Sequence, residues 1–157
     1  MSDRDYFVVY AADASGTLWC RQYTPSTGGV GAWYAATRPE GSTRVPLPRI
    51  VGEIGLGFGL SKSVDGWMTR HLVYLTKTST EWKLVRLSTR NSDVKYQEMS
   101  LGMPVSTHTL GGFSLITDGR DTLMSSFVSR TSTTTTRRFY AASQTTVNGR
   151  TTFGDLR

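Results

Sequence analysis

The chain has a single cysteine, Cys20, among its 157 residues. One thiol forms no internal disulfide and supplies no cysteine-based zinc site, so packing has to stabilise the fold. Charged residues make up only 19% of the chain, which excludes a coiled coil. No apolar run approaches the roughly 18–20 residues that cross a bilayer. Residues 1–5 lack the features of a signal peptide, so we expect a soluble chain whose compartment the sequence leaves open.

The sequence is rich instead in glycine, hydroxyl residues and aromatic side chains. An aromatic content of 11% argues against disorder. At roughly 100–200 residues per domain, the length predicts one domain over residues 1–157. The net charge of +6 is spread over isolated Lys and Arg residues, so we do not expect a nucleic-acid partner.

Apolar residues in this chain alternate with polar ones or form short runs, and no segment has a sustained helical period. Turns rich in Gly, Asp, Ser and Thr separate these segments, which predicts an all-β fold with almost no helix. The predicted strands are 6–10, 17–23, 32–35, 54–60, 71–75, 81–87, 94–99, 110–116, 123–129, 137–142 and 151–156.

The sequence also contains an internal repeat. A shift of 55 residues superposes Gly57, Phe58, Leu60, Leu72, Val73, Leu84 and Val85 on Gly112, Phe113, Leu115, Phe127, Val128, Phe139 and Tyr140. The first segment fits at a longer offset, with Val9 over Val73 and Trp19 over Trp82. We therefore predict three related units, which cover approximately residues 5–52, 53–107 and 108–157.

Each full unit is predicted to have four antiparallel strands joined by short turns, which is typical of a propeller blade. The first unit lacks its opening strand, and segment 151–156 either completes it or forms the last strand of the third unit. Because propellers typically have 4–8 blades, we predict a homo-oligomer in which two copies give six units. A β-trefoil, or another β-barrel or sandwich, is the alternative.

Side chains that carry catalysis are scarce. The two histidines, His71 and His108, have no Cys or acidic neighbour at ligand spacing, and we interpret His71 as a strand-end residue. The glycine-rich stretch 55–59 is followed by neither a helix nor a Lys-Ser/Thr pair, so it is not a phosphate loop. We predict that the protein is not an enzyme and has no catalytic residue, metal or cofactor.

Aromatic and arginine side chains point to ligand binding. Indole rings pack on the C–H face of a sugar, while sugar hydroxyls need donors and acceptors such as Arg and Glu. We expect Arg70 and Glu81 to meet across a hairpin rim with Trp67 as the platform, although a rim salt bridge that binds nothing is the alternative. Trp19 and Trp82 are alternatively core residues. The candidate ligand-binding residues are Trp67, Arg70, Glu81, Trp82, Trp19, Arg21 and Trp33.

Several short motifs resemble the blades of the fungal and bacterial fucose-binding propeller lectins. The motifs are Val8-Val9-Tyr10, Gly16-Thr17-Leu18-Trp19-Cys20, Gly31-Ala32-Trp33, Leu72-Val73-Tyr74 and Thr80-Glu81-Trp82. The resemblance extends over most of the chain. It implies a six-bladed β-propeller in which a sugar lies between adjacent blades, held by the Arg and Glu of one blade and a Trp of its neighbour.

The sequence also departs from that family pattern. The family Arg before Val-Tyr is replaced by Val8, Leu72 and Phe127, and the Trp-Asp-Gly turn is absent. The family Glu is kept only as Glu81, with Leu18 and Arg137 at its other positions. The resemblance therefore implies the scaffold with an altered sugar pocket.

These observations predict a non-enzymatic, lectin-like protein that binds glycans and becomes multivalent by oligomerisation. The alternative is a structural or protein-interaction β-domain, such as a virion component or an effector, in which the aromatic residues only form the core.

Overall fold

The structure is a computed structural model that describes residues 7–51, 55–62, 68–90, 93–120, 122–148 and 150–157. Every regular element in these ranges is a β-strand, and all recorded strand pairs are antiparallel, so the predicted all-β fold is confirmed. In the same ranges, no helix has the length and apolar character needed to span a membrane.

The chain forms two compact units, Met1–Gly52 and Glu53–Arg157. In the first unit, strand β2 pairs with three others to form the first sheet. Its strands are β1 (Phe7–Ala12), β2 (Leu18–Thr24), β3 (Gly29–Val30) and β4 (Tyr34–Ala35), and a separate hairpin consists of β5 (Thr37–Glu40) and β6 (Thr43–Pro46). The buried apolar residues of this unit are Leu18, Cys20, Ala36, Leu47 and Ile50.

The second unit contains two four-stranded sheets, each with its strands in chain order. The middle sheet consists of β7 (Leu56–Lys62), β8 (Met68–Lys77), β9 (Glu81–Arg90) and β10 (Asp93–Pro104). The last sheet consists of β11 (Thr109–Thr117), β12 (Thr122–Arg130), β13 (Thr135–Val147) and β14 (Arg150–Phe153). Sheet structure is therefore repeated as predicted, and the C-terminal segment belongs to the last sheet. A propeller-like, barrel or sandwich fold is compatible with these sheets.

Glycines in β7 let the two sheets of the second unit pack closely. A Cβ at Gly59 would lie 2.6 Å from Cγ2 of Thr117, and one at Gly57 would collide with Cβ of Leu115. Because strand side chains alternate between faces, Gly57, Gly59 and the residues opposite them line the face of the middle sheet that packs on β11. We call this the packed face of the middle sheet.

We expect Gly57→Ala to lower the free energy of unfolding by about 1–3 kcal/mol, because the new methyl group overpacks the contact with Leu115. Gly111→Ala is the matched control. Gly111 pairs with Val128 as Gly57 pairs with Val73, but no atom lies within 4 Å of the Cβ position at Gly111. Urea unfolding measures both variants at a protein concentration low enough for the chain to be monomeric, so that self-association does not contribute to the measured stability. Equal midpoints for Gly57→Ala and the wild type would contradict this account of the packing.

Strand pairing shows a repeated Val–Arg cross-strand pair. Val73 pairs with Arg86 in the middle sheet, and Val128 pairs with Arg137 in the last sheet. Val9 pairs with Arg21 in the first sheet. The three arginines therefore occupy one repeat position, which the sequence shift did not reveal.

The predicted 55-residue shift is wrong after the hairpin turn of each sheet. Strand β8 continues for four residues beyond Val73, to Lys77, whereas β12 continues for only two residues beyond Val128, to Arg130. The two hairpin turns have the same length, so β13 returns earlier than the 55-residue shift predicts. Strand pairing therefore places Arg137 at the position that Arg86 has in the middle sheet. The predicted matches of Leu84 with Phe139 and of Val85 with Tyr140 are therefore incorrect. The predicted match of Gly57 with Gly112 is incorrect as well, because the irregularity between Gly111 and Ser114 places Gly111 opposite Val128. For the same reason Arg137 does not occupy the position of Glu81, and Trp19 lies two residues from the position of Trp82.

Candidate functional site

A cavity lies beside β2 in the first unit. Its volume is about 590 Å³, and its lining consists of Gln22, Thr24 and residues 29–34. Val30 pairs with Tyr23 and Tyr34 pairs with Cys20, so three residues of the returning chain face two residues of β2. This extra residue is a β-bulge, which disrupts the ladder and changes the direction of nearby side chains. The bulge therefore shapes the wall of the cavity.

An exposed aromatic side chain and an arginine come together at this bulge. Trp33 is 43% exposed, and its neighbour Tyr34 is 53% exposed. The guanidinium carbon of Arg21 lies 5.1 Å from the centroid of the Trp33 ring, within the range of a cation–π contact. Nε of Arg21 donates a 3.0 Å hydrogen bond to the carbonyl of Gly31, which orients the guanidinium. In the described part of the chain, no carboxylate forms an ion pair with Arg21.

Trp82 belongs to the core. It is 5% exposed, and its indole N–H donates a 2.9 Å hydrogen bond to the carbonyl of His108. The ammonium of Lys77 lies 5.5 Å from the centroid of its ring. The alternative interpretation of Trp82 as a core residue therefore agrees with its burial, and its ring presents no open surface to a sugar.

Trp19 is half-buried and stabilises a turn. Its indole N–H donates a 3.0 Å hydrogen bond to Oδ2 of Asp13. Hydrogen bonds from Ser15 and Trp19 lower the pKa of the Asp13 carboxyl to about 2. The polar edge of Trp19 is therefore already used within the fold.

The structure does not bring Arg70 and Glu81 together. Arg70 pairs with Thr89 towards the open end of the β8–β9 hairpin, whereas Glu81 starts β9 at the turn, next to the last pair, Lys77 with Trp82. The strand from Arg70 to Lys77 spans roughly 23 Å at about 3.3 Å per residue. The expected meeting across the hairpin rim is therefore wrong, because Glu81 lies at the closed end. Trp67 lies outside the described residues.

Glu81 takes part in a surface network instead. Its Oε2 accepts a 2.5 Å hydrogen bond from the hydroxyl of Ser100. Nζ of Lys83 lies 3.9 Å from Oε1 of Glu81 and 3.2 Å from Oε1 of Glu98. These contacts join β9 to β10 at the rim of the middle sheet, which is a structural role.

A buried polar cluster between the two sheets of the second unit is absent from the sequence-based predictions. His71 is completely buried in the interior of β8, so its interpretation as a strand-end residue is wrong. Its Nε2 lies 2.8 Å from the hydroxyl of Ser61, and its Nδ1 lies 2.7 Å from that of Ser88. The amide nitrogen of Gln144 in β13 donates to Ser61 at 3.3 Å. Burial, and then the charge of Arg86, lower the pKa of His71 to about 4.

Arg86 is a completely buried cation beside this cluster. Its Nε donates a 2.9 Å hydrogen bond to the hydroxyl of Ser88, and its Nη1 donates to the carbonyl of Gly154. The guanidinium carbon lies 5.9 Å from the ring centroid of Phe153. Burial lowers the pKa of Arg86 to about 10, against the opposing influence of Asp155. Because both Arg86 and His71 are fully buried, we assign the cluster a structural role.

Comparison with known proteins gives no match, since no protein-family model, no curated protein and no solved structure corresponds to the chain. The likeness to fucose-binding propeller lectins therefore depends on short sequence motifs alone.

Proposed function

We propose that the protein binds carbohydrates without catalysing a reaction, and that the ligand lies against Trp33. The observation that supports this proposal is the exposed indole beside a cavity of about 590 Å³, with an oriented guanidinium in contact with the ring. An exposed indole provides the flat apolar surface that the C–H face of a sugar needs. Gln22 and Thr24 in the lining, and Arg21 against the Trp33 ring, supply polar groups for sugar hydroxyls.

The proposed site differs from the one that the family resemblance implies. In those lectins the sugar lies between adjacent blades, whereas this cavity is lined by residues of one sheet. Its lining includes the polar residues Gln22 and Thr24 but no acid, and Arg21 contacts the ring of the lining residue Trp33. A ligand with a carboxylate would pair with the guanidinium of Arg21 by charge-assisted hydrogen bonds. A test therefore has to include acidic sugars as well as neutral ones.

Oligomerisation would strengthen binding at such an open site. Linking two sites makes the second binding event intramolecular, which raises the overall affinity without any new contact. We propose that the protein is a homo-oligomer and that a dimer, with six sheet units, presents two Trp33 sites. The alternative function, a protein-interaction domain without a sugar site, would share the oligomer but not the glycan binding.

The test is a screen of the wild-type protein against neutral and acidic glycans, followed by calorimetric titration of the best ligand into two variants. We expect Trp33→Ala to weaken binding at least about tenfold, because it removes the apolar platform. Phe7→Ala is the matched control, since Phe7 is 63% exposed in the same unit but does not line the cavity. Its affinity should stay within about twofold of the wild type.

Melting temperatures of both variants should stay near that of the wild type, because both aromatic side chains are exposed. If the wild type binds no glycan, or if Trp33→Ala binds as tightly as the wild type, the proposal is wrong. Glycan binding that Phe7→Ala weakens as much as Trp33→Ala would also count against the cavity.

A further inference from the structure

One face of the last sheet consists of residues that occupy the same repeat positions as the residues of the packed face of the middle sheet. Gly59 pairs with His71 on that packed face, and Ser114 pairs with Ser126 at the same repeat position in the last sheet. We call the corresponding side of the last sheet its outer face. Its residues are Gly111, Ser114, Ile116, Met124, Ser126, Val128, Arg137 and Phe139.

The two faces have opposite exposure. Val73 and Arg86 are completely buried beneath the last sheet, whereas their equivalents Val128 and Arg137 are half-buried and exposed. The outer face thus has the residues of a sheet interface, yet its arginine is exposed.

The outer face is also more apolar than the packed face. Ile116 occupies the repeat position of Ser61, and Phe139 occupies that of Ser88. Ile116 is 59% exposed and Phe139 is 57% exposed. On the packed face, Ser61 and Ser88 belong to the polar cluster that receives Gln144. The outer face therefore suits apolar side chains at the same place.

We propose that the outer face is the docking surface for a second copy of this chain. Glycine leaves room for such a contact, because a Cβ at Gly111 would have open space, whereas a Cβ at the equivalent Gly57 would meet Leu115 and Phe113. The arrangement on the packed face shows how an arginine at this position bridges two sheets. There, Arg86 reaches the ring of Phe153 and the carbonyl of Gly154.

A second copy of the chain provides the same contact between an arginine and an aromatic ring, because the outer face is self-complementary. It carries both an arginine and an exposed phenylalanine, Arg137 and Phe139, in one strand. Under a two-fold axis, each Arg137 meets the Phe139 of the other copy, so the contact is made twice and is closed. Ile116 is covered in the same step. This proposal does not depend on sugar binding at Trp33.

The experiment is sedimentation equilibrium of the full chain over a wide range of concentrations. We expect a species of twice the chain mass of 17.3 kDa in reversible exchange with the monomer. Ile116→Lys and Phe139→Ser should each raise the dissociation constant at least about tenfold. The control Phe7→Ser changes an equally exposed side chain in the other unit and should leave association unchanged.

An exchange of the two residues tests the pairing itself. Arg137→Phe and Phe139→Arg should each weaken association alone, and the double variant R137F/F139R should recover most of it, because the two-fold pair is restored. Near-UV circular dichroism checks that each variant is folded. A wild type that stays monomeric at every concentration, or a dimer that neither Ile116→Lys nor Phe139→Ser weakens, would overturn the proposal.

Discussion

Lowering the pH from about 7 to about 4 is expected to reduce the free energy of unfolding by about 3 kcal/mol through His71. The pKa of His71 is lowered from 6.5 to about 4 in the folded protein. The unfolded chain therefore binds a proton between these two values that the folded chain does not bind. The contribution of His71 is complete above about pH 6.5 and is lost as the pH falls towards 4.

The hydrogen bonds explain why a proton is unfavourable at His71. The amide nitrogen of Gln144 lies 3.4 Å from Nε2 of His71, so this nitrogen has to act as an acceptor, and we assign the proton to Nδ1. Nδ1 then donates to Ser88. A second proton at Nε2 would face the Gln144 donor. It would also place a positive charge beside the buried guanidinium of Arg86.

Urea unfolding of the wild type and of His71→Gln across this pH range measures the effect. Glutamine keeps a donor and an acceptor but does not titrate, so the variant should lose most of the slope between pH 6.5 and 4. Asp13, Asp118 and Asp155 also have lowered pKa values. Their contributions are present above the ordinary carboxyl pKa and are lost only at lower pH, outside this window. The same slope in both proteins would refute the assignment.

Replacing Arg86 by alanine is expected to lower the free energy of unfolding by about 3–5 kcal/mol. The change empties a large buried volume and removes the donors to Ser88 and to the carbonyl of Gly154. Arg86→Met should be markedly less damaging. Methionine fills much of the space and avoids burying a cation, and Nη2 of Arg86 already lacks a hydrogen-bond partner among the described residues.

Arg86→Met should also raise the pKa of His71, because the charge of Arg86 is the second cause of its lowering after burial. Histidine NMR titration measures this pKa, and urea unfolding measures the two stabilities. The account of Arg86 would be wrong if the methionine and alanine variants lose the same stability and His71 titrates unchanged in the methionine variant.

The sequence predicts the all-β fold because alternation and turn residues are local signals. It underestimates strand lengths where polar residues continue a strand. For example, the prediction of 137–142 becomes β13, Thr135–Val147, whose ends consist mostly of Thr, Ser and Gln. The repeat is predicted correctly from the match of Leu60 with Leu115 to that of Val73 with Val128. The bulge between Gly111 and Ser114 displaces its start, and the earlier turn after Arg130 displaces its end, and only strand pairing reveals either shift.

The candidate site follows from the sequence only in part. Arg21 and Trp33 are both among the predicted ligand-binding residues, and the structure brings them into contact because β2 and the returning chain are close in sequence. Glu81 and Arg70 are separated because the position of the turn sets their register. The burial of His71 and Arg86 depends on residues of a distant sheet, such as Gln144, and no local pattern contains that information.

The most direct test of carbohydrate binding is an NMR titration that follows the indole N–H signals of the tryptophans while the best glycan is added. We expect the Trp33 signal to shift in proportion to ligand occupancy, while the signal of Trp82, whose N–H is bonded to the His108 carbonyl, stays in place. Substitution of each tryptophan by phenylalanine assigns the signals. A bound glycan that leaves the Trp33 signal unchanged, or that shifts only Trp19, Trp67 or Trp82, would contradict the proposed site.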